Sequence, residues 1–423
     1  MAFFANFASF KTMAAKPFLI AALTLVWAAS SPAADWPMWR GPNSNGTAIA
    51  EECLPRDFSD KSALKWSVDI PGRSHGSACV VAENVFIAVA DEEKQTQSIY
   101  CFDRETGDKK WNTEIHEGGF TQQGNKKASW ASGTPACDGE KVYISFLNGD
   151  AVYTTALDLD GKQVWQTKIT DYVLHQGYGS SPMVYEDLLL VSADNKGGGA
   201  ICGLDRKTGE IVWRHERAEF PNYPSPVVLE ASGKKQLFMI GTEKVTSLDP
   251  LTGEVNWEID GSTTECVSTT VTDGKHIYSS GGYPTNHITA IVADGSGDIA
   301  WEKKDRLYVP SLLEKDGYIW AALDSGIAVC WDAATGEEMW KDRLGGNFTG
   351  SPTLVTDAFY VVNETGEVFI VETNPEGPEI LGPEKIADET FSTPSICGNE
   401  IFLRVADYDG EQRQERLVCY SGK

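Results

Sequence analysis

One short phrase recurs through this chain of 423 residues and constrains its fold more than any other feature. In its clearest form, at residues 249–257, an Asp ends an apolar strand, a Thr-Gly pair closes a turn, and a Trp lies in the strand that follows. The Asp can hydrogen-bond to its own backbone, and Gly supplies the positive φ of a tight reversal. The phrase recurs about every 40–55 residues, a period that is typical of propellers and arrays.

These repeats predict an all-β, eight-bladed β-propeller with four antiparallel strands in each blade. A Ser/Thr-Pro pair opens the first strand of most repeats, an aliphatic strand follows, and the Asp strand and the Trp strand complete the blade. We expect the Trp side chains to pack between neighbouring blades rather than to form a cofactor cage. The outer strands carry Trp66, Trp111, Trp165, Trp213, Trp257, Trp301 and Trp340, and a degenerate copy lies at 380–381.

The two ends of the repeat array predict how the ring closes. The strand at 64–68 carries Trp66 but has no blade before it, and the last repeat stops at a strand around 417–420 without a Trp strand of its own. Pairing these two strands completes the eighth blade. It also covers two strand edges that would otherwise be free to pair with other chains.

The N-terminus predicts export. Lys11 and Lys16 precede an apolar run at 17–27, and small residues allow cleavage after Ala33 or Ala34, a pattern typical of a secretory signal. A membrane anchor is the alternative, but the apolar run is short for a spanning helix. Cleavage is therefore favoured, and we expect a periplasmic or extracellular protein with no transmembrane segment after cleavage.

We accordingly divide the chain into a signal peptide at 1–34, an N-terminal strap or extension at 35–61 and the propeller at 62–423. The extension holds two Trp and two Pro within 36–42. Because exposed Trp side chains are costly, this segment is expected to pack against the propeller as a plug or strap.

Charge and cysteine content exclude several classes of protein. The formal net charge is −25, and the predicted signal holds two Lys and no acid, so the exported chain is still more acidic. Such a chain repels phosphate backbones, which argues against nucleic-acid binding. The nine Cys are scattered without zinc spacing. Buried thiols are favoured, although export permits disulfides and the odd count leaves at least one Cys unpaired within the chain.

The phrase Asp-x-x-Thr-Gly-Glu-x-x-Trp, with its Ser/Thr-Pro strand openings, resembles the pyrroloquinoline-quinone (PQQ) propeller repeat. The resemblance covers nearly all of the chain after the signal segment. The segments at 36–42, 71–75, 175–182 and 345–348 are similar to those of an exported bacterial subgroup like the outer-membrane assembly factor BamB. The repeat is specific for the fold and weak for function, because the family includes both quinoprotein dehydrogenases and non-catalytic scaffolds.

What the resemblance implies about activity depends on the branch of the family. The dehydrogenase branch implies a quinone in the central channel, Ca²⁺ held by Asp, Glu and Asn, a catalytic Asp and, in many members, a disulfide between adjacent Cys. This chain has no adjacent Cys pair, and no calcium ligand set can be assigned, so we predict no PQQ, no metal and no catalytic residue. The BamB-like branch is usually lipidated, and the lipid-acceptor Cys is missing here.

The sequence therefore favours an exported, non-catalytic propeller that binds another envelope protein or a small ligand as a scaffold. The alternative is a PQQ-dependent oxidoreductase with a divergent site. A third hypothesis, carbohydrate binding, rests only on aromatic and acidic residues near one end of the channel.

The candidate binding residues come just before the first strand of each blade. Because the innermost strands line the channel, these residues are expected to gather at one mouth of the ring, where aromatic, His and Glu side chains form a candidate site. The long connection at 117–127 belongs to the same face. The alternative is that these side chains only pack the loops. The candidates are His75, Trp130, His175, Tyr178, Tyr223, Glu265, Tyr308, Asn347 and Phe348, with Phe391 beside them.

Overall fold

In the part of the chain that the structure describes, the repeats fold into 32 strands, which form eight four-stranded sheets. The structure is a computed structural model, and it describes residues 1–2, 34–49, 53–121 and 125–422. Apart from Met1, Ala2 and Ala34, the predicted signal peptide lies outside the described residues, so its cleavage stays a prediction. Within these ranges, no helix has the length and hydropathy that crossing a membrane requires.

Strand β1 (Leu64–Ile70) precedes the first complete blade. Blades one and two contain β2 (Cys79–Val81), β3 (Asn84–Asp91), β4 (Thr96–Asp103), β5 (Lys109–Glu117), β6 (Ala136–Cys137), β7 (Lys141–Asn148), β8 (Ala151–Asp158) and β9 (Gln163–Asp171). Blades three and four contain β10 (Met183–Tyr185), β11 (Leu188–Ser192), β12 (Gly199–Asp205), β13 (Ile211–Arg217), β14 (Val227–Ala231), β15 (Lys234–Gly241), β16 (Lys244–Leu248) and β17 (Val255–Asp260).

Blades five and six contain β18 (Val271–Thr272), β19 (His276–Gly281), β20 (His287–Val292), β21 (Ile299–Lys303), β22 (Leu313–Lys315), β23 (Tyr318–Leu323), β24 (Ile327–Asp332) and β25 (Glu338–Arg343). Blades seven and eight contain β26 (Thr353–Leu354), β27 (Ala358–Val362), β28 (Glu367–Glu372), β29 (Ile380–Lys385), β30 (Ser395–Cys397), β31 (Glu400–Asp409) and β32 (Gln412–Ser421). All sheet pairings are antiparallel, which confirms the predicted fold class.

Seven blades follow chain order from the innermost to the outermost strand, and the eighth does not. Its order is β1-β32-β31-β30, so the first strand of the propeller completes the last blade. In the register of this pair, Trp66 lies opposite Cys419 and Ser67 opposite Val418. The pairing of the strand around Trp66 with the strand around Val418 is the one that the repeat count predicts.

The Asp of the repeated phrase folds the turn as its chemistry predicts. The Asp249 Oδ1 atom accepts hydrogen bonds from the backbone N–H groups of Leu251 (2.8 Å) and Thr252 (3.0 Å). The same pair of bonds recurs at Asp205 and Asp332. Each Asp therefore satisfies donors that the tight turn leaves without a backbone partner.

The Gly of the phrase is fixed by the Trp of the preceding blade. Gly107 has φ 75°, and a Cβ atom added there would lie 2.8 Å from the ring of Trp66. At Gly253, with φ 72°, the added Cβ would lie 2.4 Å from Trp213. Glycine is required both for the backbone conformation and for the close approach of the indole. The Trp series thus packs between blades, as predicted.

The core lies between the blades, and the cysteines belong to it. Eight of the nine Cys are buried and Cys53 is exposed, and all nine are free thiols. Burial raises the pKa of the Cys101 thiol to about 12 and that of Cys202 to about 11, so both stay protonated at neutral pH. The cysteines act here as small apolar side chains.

Residues 35–49, the first described part of the predicted strap at 35–61, cross the channel at the end where the first strands finish, which we call the bottom; below, the strap means residues 35–49. Trp36 exchanges backbone hydrogen bonds of 2.8 and 2.9 Å with Val80 in β2. The strap continues to β26, where Leu354 donates to Gly46 (2.8 Å) and Ala48 donates to Leu354 (2.8 Å). The strap therefore connects blades from opposite parts of the sequence.

Arg40 anchors the middle of the strap. Its guanidinium is buried and donates to the carbonyl oxygens of Asn45 (2.9 Å), Pro352 (3.3 Å) and Leu312. Burial lowers the pKa of Arg40 to about 9, which still leaves it charged at neutral pH. Its bonds to blades six and seven hold the strap in the channel.

Candidate functional site

A ring of Ser and Thr hydroxyl groups joins the first strands of the blades. In each link, the backbone N–H of one ring residue donates to the hydroxyl oxygen of the ring residue in the next blade. Thr393 donates to Ser77 and Ser77 donates to Thr134, both at 3.0 Å, so the ring crosses the junction between the last blade and the first. Five further links of 2.9–3.0 Å join Thr134 to Ser181, Ser181 to Ser225, Thr269 to Ser311, Ser311 to Ser351, and Ser351 to Thr393.

A cavity of about 250 Å³ lies in the channel between this hydroxyl ring and the mouth, the end where the residues preceding the first strands gather. Trp39 of the strap reaches it from the bottom, and its indole Nε1 donates to the Thr269 hydroxyl at 2.9 Å. The strap thus supplies the floor of the cavity, while the blades supply its wall and rim.

Four of the predicted residues line the rim of this cavity: His75, Tyr178, Tyr223 and Tyr308. Burial raises the pKa of all three tyrosines, and the neighbouring Glu265 adds to the shift at Tyr223 and Tyr308. The phenols are therefore neutral at physiological pH. They offer ring faces together with hydroxyl groups, a combination common in ligand sites.

His75 is held as a neutral imidazole. Its ring packs on Phe391, another residue of the cavity lining, with 4.6 Å between the ring centroids. Burial lowers the pKa of His75 well below its ordinary value, and three cations nearby lower it further, namely Arg73, Arg404 and Arg413. A neutral, stacked histidine contributes a flat apolar surface to the rim.

Glu265 organises the opposite part of the mouth. Its side chain is only 4% exposed, and Oε1 lies 2.9 Å from Nε2 of His175. Oε2 accepts a hydrogen bond from the Tyr308 hydroxyl at 2.9 Å and one from the Gln176 amide at 3.4 Å. The structure thus brings together three of the predicted candidates, and the carboxylate orients Tyr308 and His175 around the opening.

The described part of the long connection, residues 117–121 and 125–127, also reaches the mouth. Asn125 donates from its amide to Gln176 Oε1 at 2.9 Å. The Lys127 ammonium lies 2.7 Å from a carboxylate oxygen of Glu364, which belongs to blade seven. Asn125 and Lys127 line the cavity, so this connection is part of the candidate site.

Five predicted candidates are absent from the cavity lining: His175 and Glu265 lie beside it at the mouth, and the other three lie farther away or in the core. Trp130 is buried and stacks on Phe120 with 4.7 Å between the rings, and Phe348 is buried against Phe369. Asn347 is exposed, and its backbone carbonyl accepts from Glu364. Apolar rings at the start of a loop gain more from core packing than from exposure, so Trp130 and Phe348 support the loops rather than the opening.

The sequence also left important residues unidentified. Trp39 was expected only to pack against the propeller, and nothing in the repeat placed it at the floor of the channel. The ring hydroxyls carried a visible signal, the Ser or Thr that recurs before Pro in Thr134, Ser181, Ser225, Ser351 and Thr393. In the sequence this pattern predicts only a strand opening. In the structure the Ser or Thr hydroxyl also accepts a hydrogen bond from a backbone N–H of the neighbouring blade.

Eight four-stranded blades, Trp-Gly contacts between them and a single channel define the class of PQQ-type propellers. A family model described as outer membrane protein assembly factor BamB matches residues 57–170, 95–326 and 285–374. These overlapping matches cover more than half of the chain. The chain belongs to this family.

Two solved structures share the fold of this chain. BamB from Moraxella catarrhalis aligns at 15% identity and TM-score 0.59, covering 85% of this chain and 97% of that chain. A quinohemoprotein alcohol dehydrogenase from Comamonas testosteroni aligns at 12% identity and TM-score 0.68, covering 94% and 82%. At these identities the two structures establish the shared fold alone.

The curated relatives are polyvinylalcohol dehydrogenases. The protein from Sphingopyxis sp. (strain 113P3) is 24% identical over 53% of this chain and 39% of its own length. The protein from a Pseudomonas species is 26% identical over 54% of this chain and 36% of its own length. The chain thus matches less than two fifths of the length of either relative.

The cavity lining does not fit the quinone that this class implies. PQQ is a flat tricarboxylate, and such groups are usually held by several cations or N–H forks. Among the described lining residues, Lys127 is the one cation, and Glu364 already neutralises it. The described residues also contain no group of three or more His, Cys, Asp or Glu side chains placed to hold a metal ion.

Proposed function

We propose that this protein is an exported, non-catalytic propeller that binds an envelope protein or a small ligand at the mouth of its central channel. The observation that carries this proposal is the 250 Å³ cavity, which has Trp39 at its floor and neutral aromatic rings at its rim. Apolar pockets with a few convergent polar groups are the usual form of a binding site. The protein would act as a scaffold that presents this site.

The cellular location and the kind of partner follow from two further lines of support. The N-terminal residues have the pattern of a secretory signal, which favours a periplasmic or extracellular protein. The matching family is described as an outer membrane assembly factor, which favours a protein partner in the envelope. The net charge of −25 argues against nucleic acid as a partner.

A second candidate function is a PQQ-dependent oxidoreductase with a divergent site. The curated relatives favour it, since both are dehydrogenases. The structure of the lining argues against it, because a tricarboxylate would meet one cation already paired with Glu364. We therefore propose that the protein holds no PQQ and no calcium.

Reconstitution separates the two functions. The purified protein is incubated with PQQ and Ca²⁺, desalted, and examined by absorbance and by dye-linked oxidation of alcohols and polyvinyl alcohol. We expect no stoichiometric quinone and no dye reduction above a control without protein. Bound quinone at one equivalent, or dye reduction that depends on it, would replace the scaffold by the oxidoreductase.

A filled cavity tests the binding role. Val267 lines the cavity and makes no side-chain hydrogen bond, so Val267→Trp should fill it without removing a polar contact. Val212, 56% exposed on β13, offers the matched control Val212→Trp. We expect cross-linking to a partner in intact cells to be lost in Val267→Trp alone, with both melting temperatures near that of the wild type. Equal cross-linking by both variants would place the partner elsewhere.

A further inference from the structure

The ring hydroxyls that line the cavity can each still donate one hydrogen bond. Six ring members line the cavity, and they are between 1% and 6% exposed: Ser77, Thr134, Ser181, Ser225, Ser351 and Thr393. Each of these six oxygens accepts a hydrogen bond from the backbone N–H of a neighbouring ring residue. A hydroxyl can donate as well as accept, and none of these six donates to an acceptor in the described part of the chain.

Buried donors without acceptors are unusual in a finished core. Most buried polar groups have a partner in the protein or in ordered water, and leaving one unsatisfied costs about 1–3 kcal/mol. Here six such O–H groups converge on one cavity rather than being scattered. A ligand in the cavity can therefore accept hydrogen bonds from these hydroxyls through its own oxygen atoms.

The rest of the described lining carries no unpaired charge. The rim supplies the faces of Tyr223, Tyr308 and the neutral His75, and the floor supplies the indole of Trp39. Among the described lining residues, the one Lys or Arg side chain is Lys127, and it is paired with Glu364. An anion entering the cavity would therefore find no free positive charge, and the acidity of the whole chain would oppose its approach.

We propose that the cavity binds an uncharged saccharide, whose hydroxyl oxygens accept from the ring hydroxyls and whose C–H faces lie on the aromatic rings of the rim. This inference rests on the proposed function, since it specifies the ligand of the same mouth. Sugars combine hydroxyl oxygens with apolar faces, which matches the two kinds of surface in the lining.

The size of the cavity limits the ligand. Its volume of about 250 Å³ is just below the roughly 300–1,000 Å³ of pockets for drug-sized molecules. One or two sugar rings fit this space better than an internal stretch of a long polymer. The bound unit is therefore a mono- or disaccharide, or the terminal residue of a longer chain.

Calorimetric titration of the full protein tests the proposal. The ligands are glucose, N-acetylglucosamine, maltose and cellobiose, with inorganic phosphate and acetate as anionic alternatives. Thermal denaturation with each ligand serves as a second readout, because a ligand that binds the folded state raises the melting temperature. We expect saturable binding of at least one sugar with a dissociation constant of about 10 mM or below, a weak affinity suited to a pocket that makes few contacts. Neither anion should bind.

Three variants locate the site. Val267→Trp should weaken sugar binding more than tenfold, and Val212→Trp should leave it unchanged. Ser181→Ala removes one donor and should weaken binding about threefold to tenfold, the range expected for one hydrogen bond. Its melting temperature shows how much the lost link to Thr134 disturbs the fold, and Ser181→Thr should restore binding because it keeps the hydroxyl.

Each outcome decides between sugar and its rivals. Binding of phosphate or acetate in place of sugars, or sugar binding that survives Val267→Trp, would overturn the proposal. Failure of every sugar would overturn it too, while loss of cross-linking in Val267→Trp would still uphold the scaffold function. Stoichiometric PQQ uptake would instead defeat the scaffold function itself.

Discussion

The two ends of the central channel differ in how tightly their side chains are packed. At the bottom, the strap fills the opening with Trp36 and Arg40, both at most 2% exposed and both bonded to the first strands or to neighbouring carbonyls. At the mouth, Tyr223, Tyr308 and His75 are only partly buried and surround an open cavity. The bottom has the packing of a core, whereas the mouth retains space and unused donors. The comparison assigns a stabilising role to the bottom and leaves the mouth as the end where we propose that binding occurs.

The largest effect is expected at the bottom. Trp36→Ala removes a buried indole that packs on Gly41, and the cost should be about 3–5 kcal/mol of unfolding free energy. The counterpart is Trp39→Phe, which keeps a ring at the cavity floor and loses one hydrogen bond worth about 1 kcal/mol. Urea denaturation measures both. Equal costs would remove the distinction between the two ends.

At the mouth, the expected effect is a dependence of the unfolding free energy on pH. His75 is neutral in the folded protein because burial and nearby arginines lower its pKa, whereas the unfolded chain takes up a proton near pH 6.5. The contribution of His75 to the unfolding free energy is therefore fully present above pH 6.5. It falls as the pH drops below that value, by up to about 1.4 kcal/mol per pH unit.

His75→Gln should flatten this acid slope. Urea denaturation at pH 7 and pH 5 measures the slope in the wild type and in the variant. His276→Gln is a suitable comparison, since His276 lies beside Asp273 at the other end of its blade. An unchanged slope in His75→Gln would show that the rim histidine already carries a proton.

The smallest effect concerns the hydroxyl ring that separates the two ends. Thr393→Val keeps the shape of the side chain but removes the acceptor for the backbone N–H of Ser351 (2.9 Å). One buried hydrogen bond should cost about 1 kcal/mol. Thr393→Ser keeps the hydroxyl and should restore most of the stability. If Thr393→Val has the same melting temperature as the wild type, water has replaced the hydroxyl as acceptor for the Ser351 N–H.

The fold could be predicted from the sequence because one physical cause acts many times. The Asp turn, the Gly at positive φ and the Trp of the previous blade recur in each repeat, so errors at one copy do not hide the period. Even the degenerate repeat is in place, since Trp340 donates to the carbonyl of Asn374 at 2.8 Å. Because the strand that carries Trp66 has no blade before it in the sequence, its pairing with the last strand of the chain could be predicted.

The site could be predicted only in part, because it lies where the repeat gives no information. Four of the residues chosen by their position before a first strand, His75, Tyr178, Tyr223 and Tyr308, line one cavity. The same rule selected Trp130 and Phe348, because sequence position does not show whether a ring turns toward the channel or toward the core. Trp39 enters from another part of the chain altogether, so no repeat pattern could place it.

The pairing of β1 with β32 makes the two ends of the propeller sequence depend on each other. A chain that emerges from its N-terminus first must leave β1 without a partner until the last strands are made. Contacts between such distant segments slow folding, since a long loop must close before they form. Blade eight therefore depends on both ends of the chain: a chain cut short between β29 and β32 has seven complete blades but leaves β1 without its partner strand.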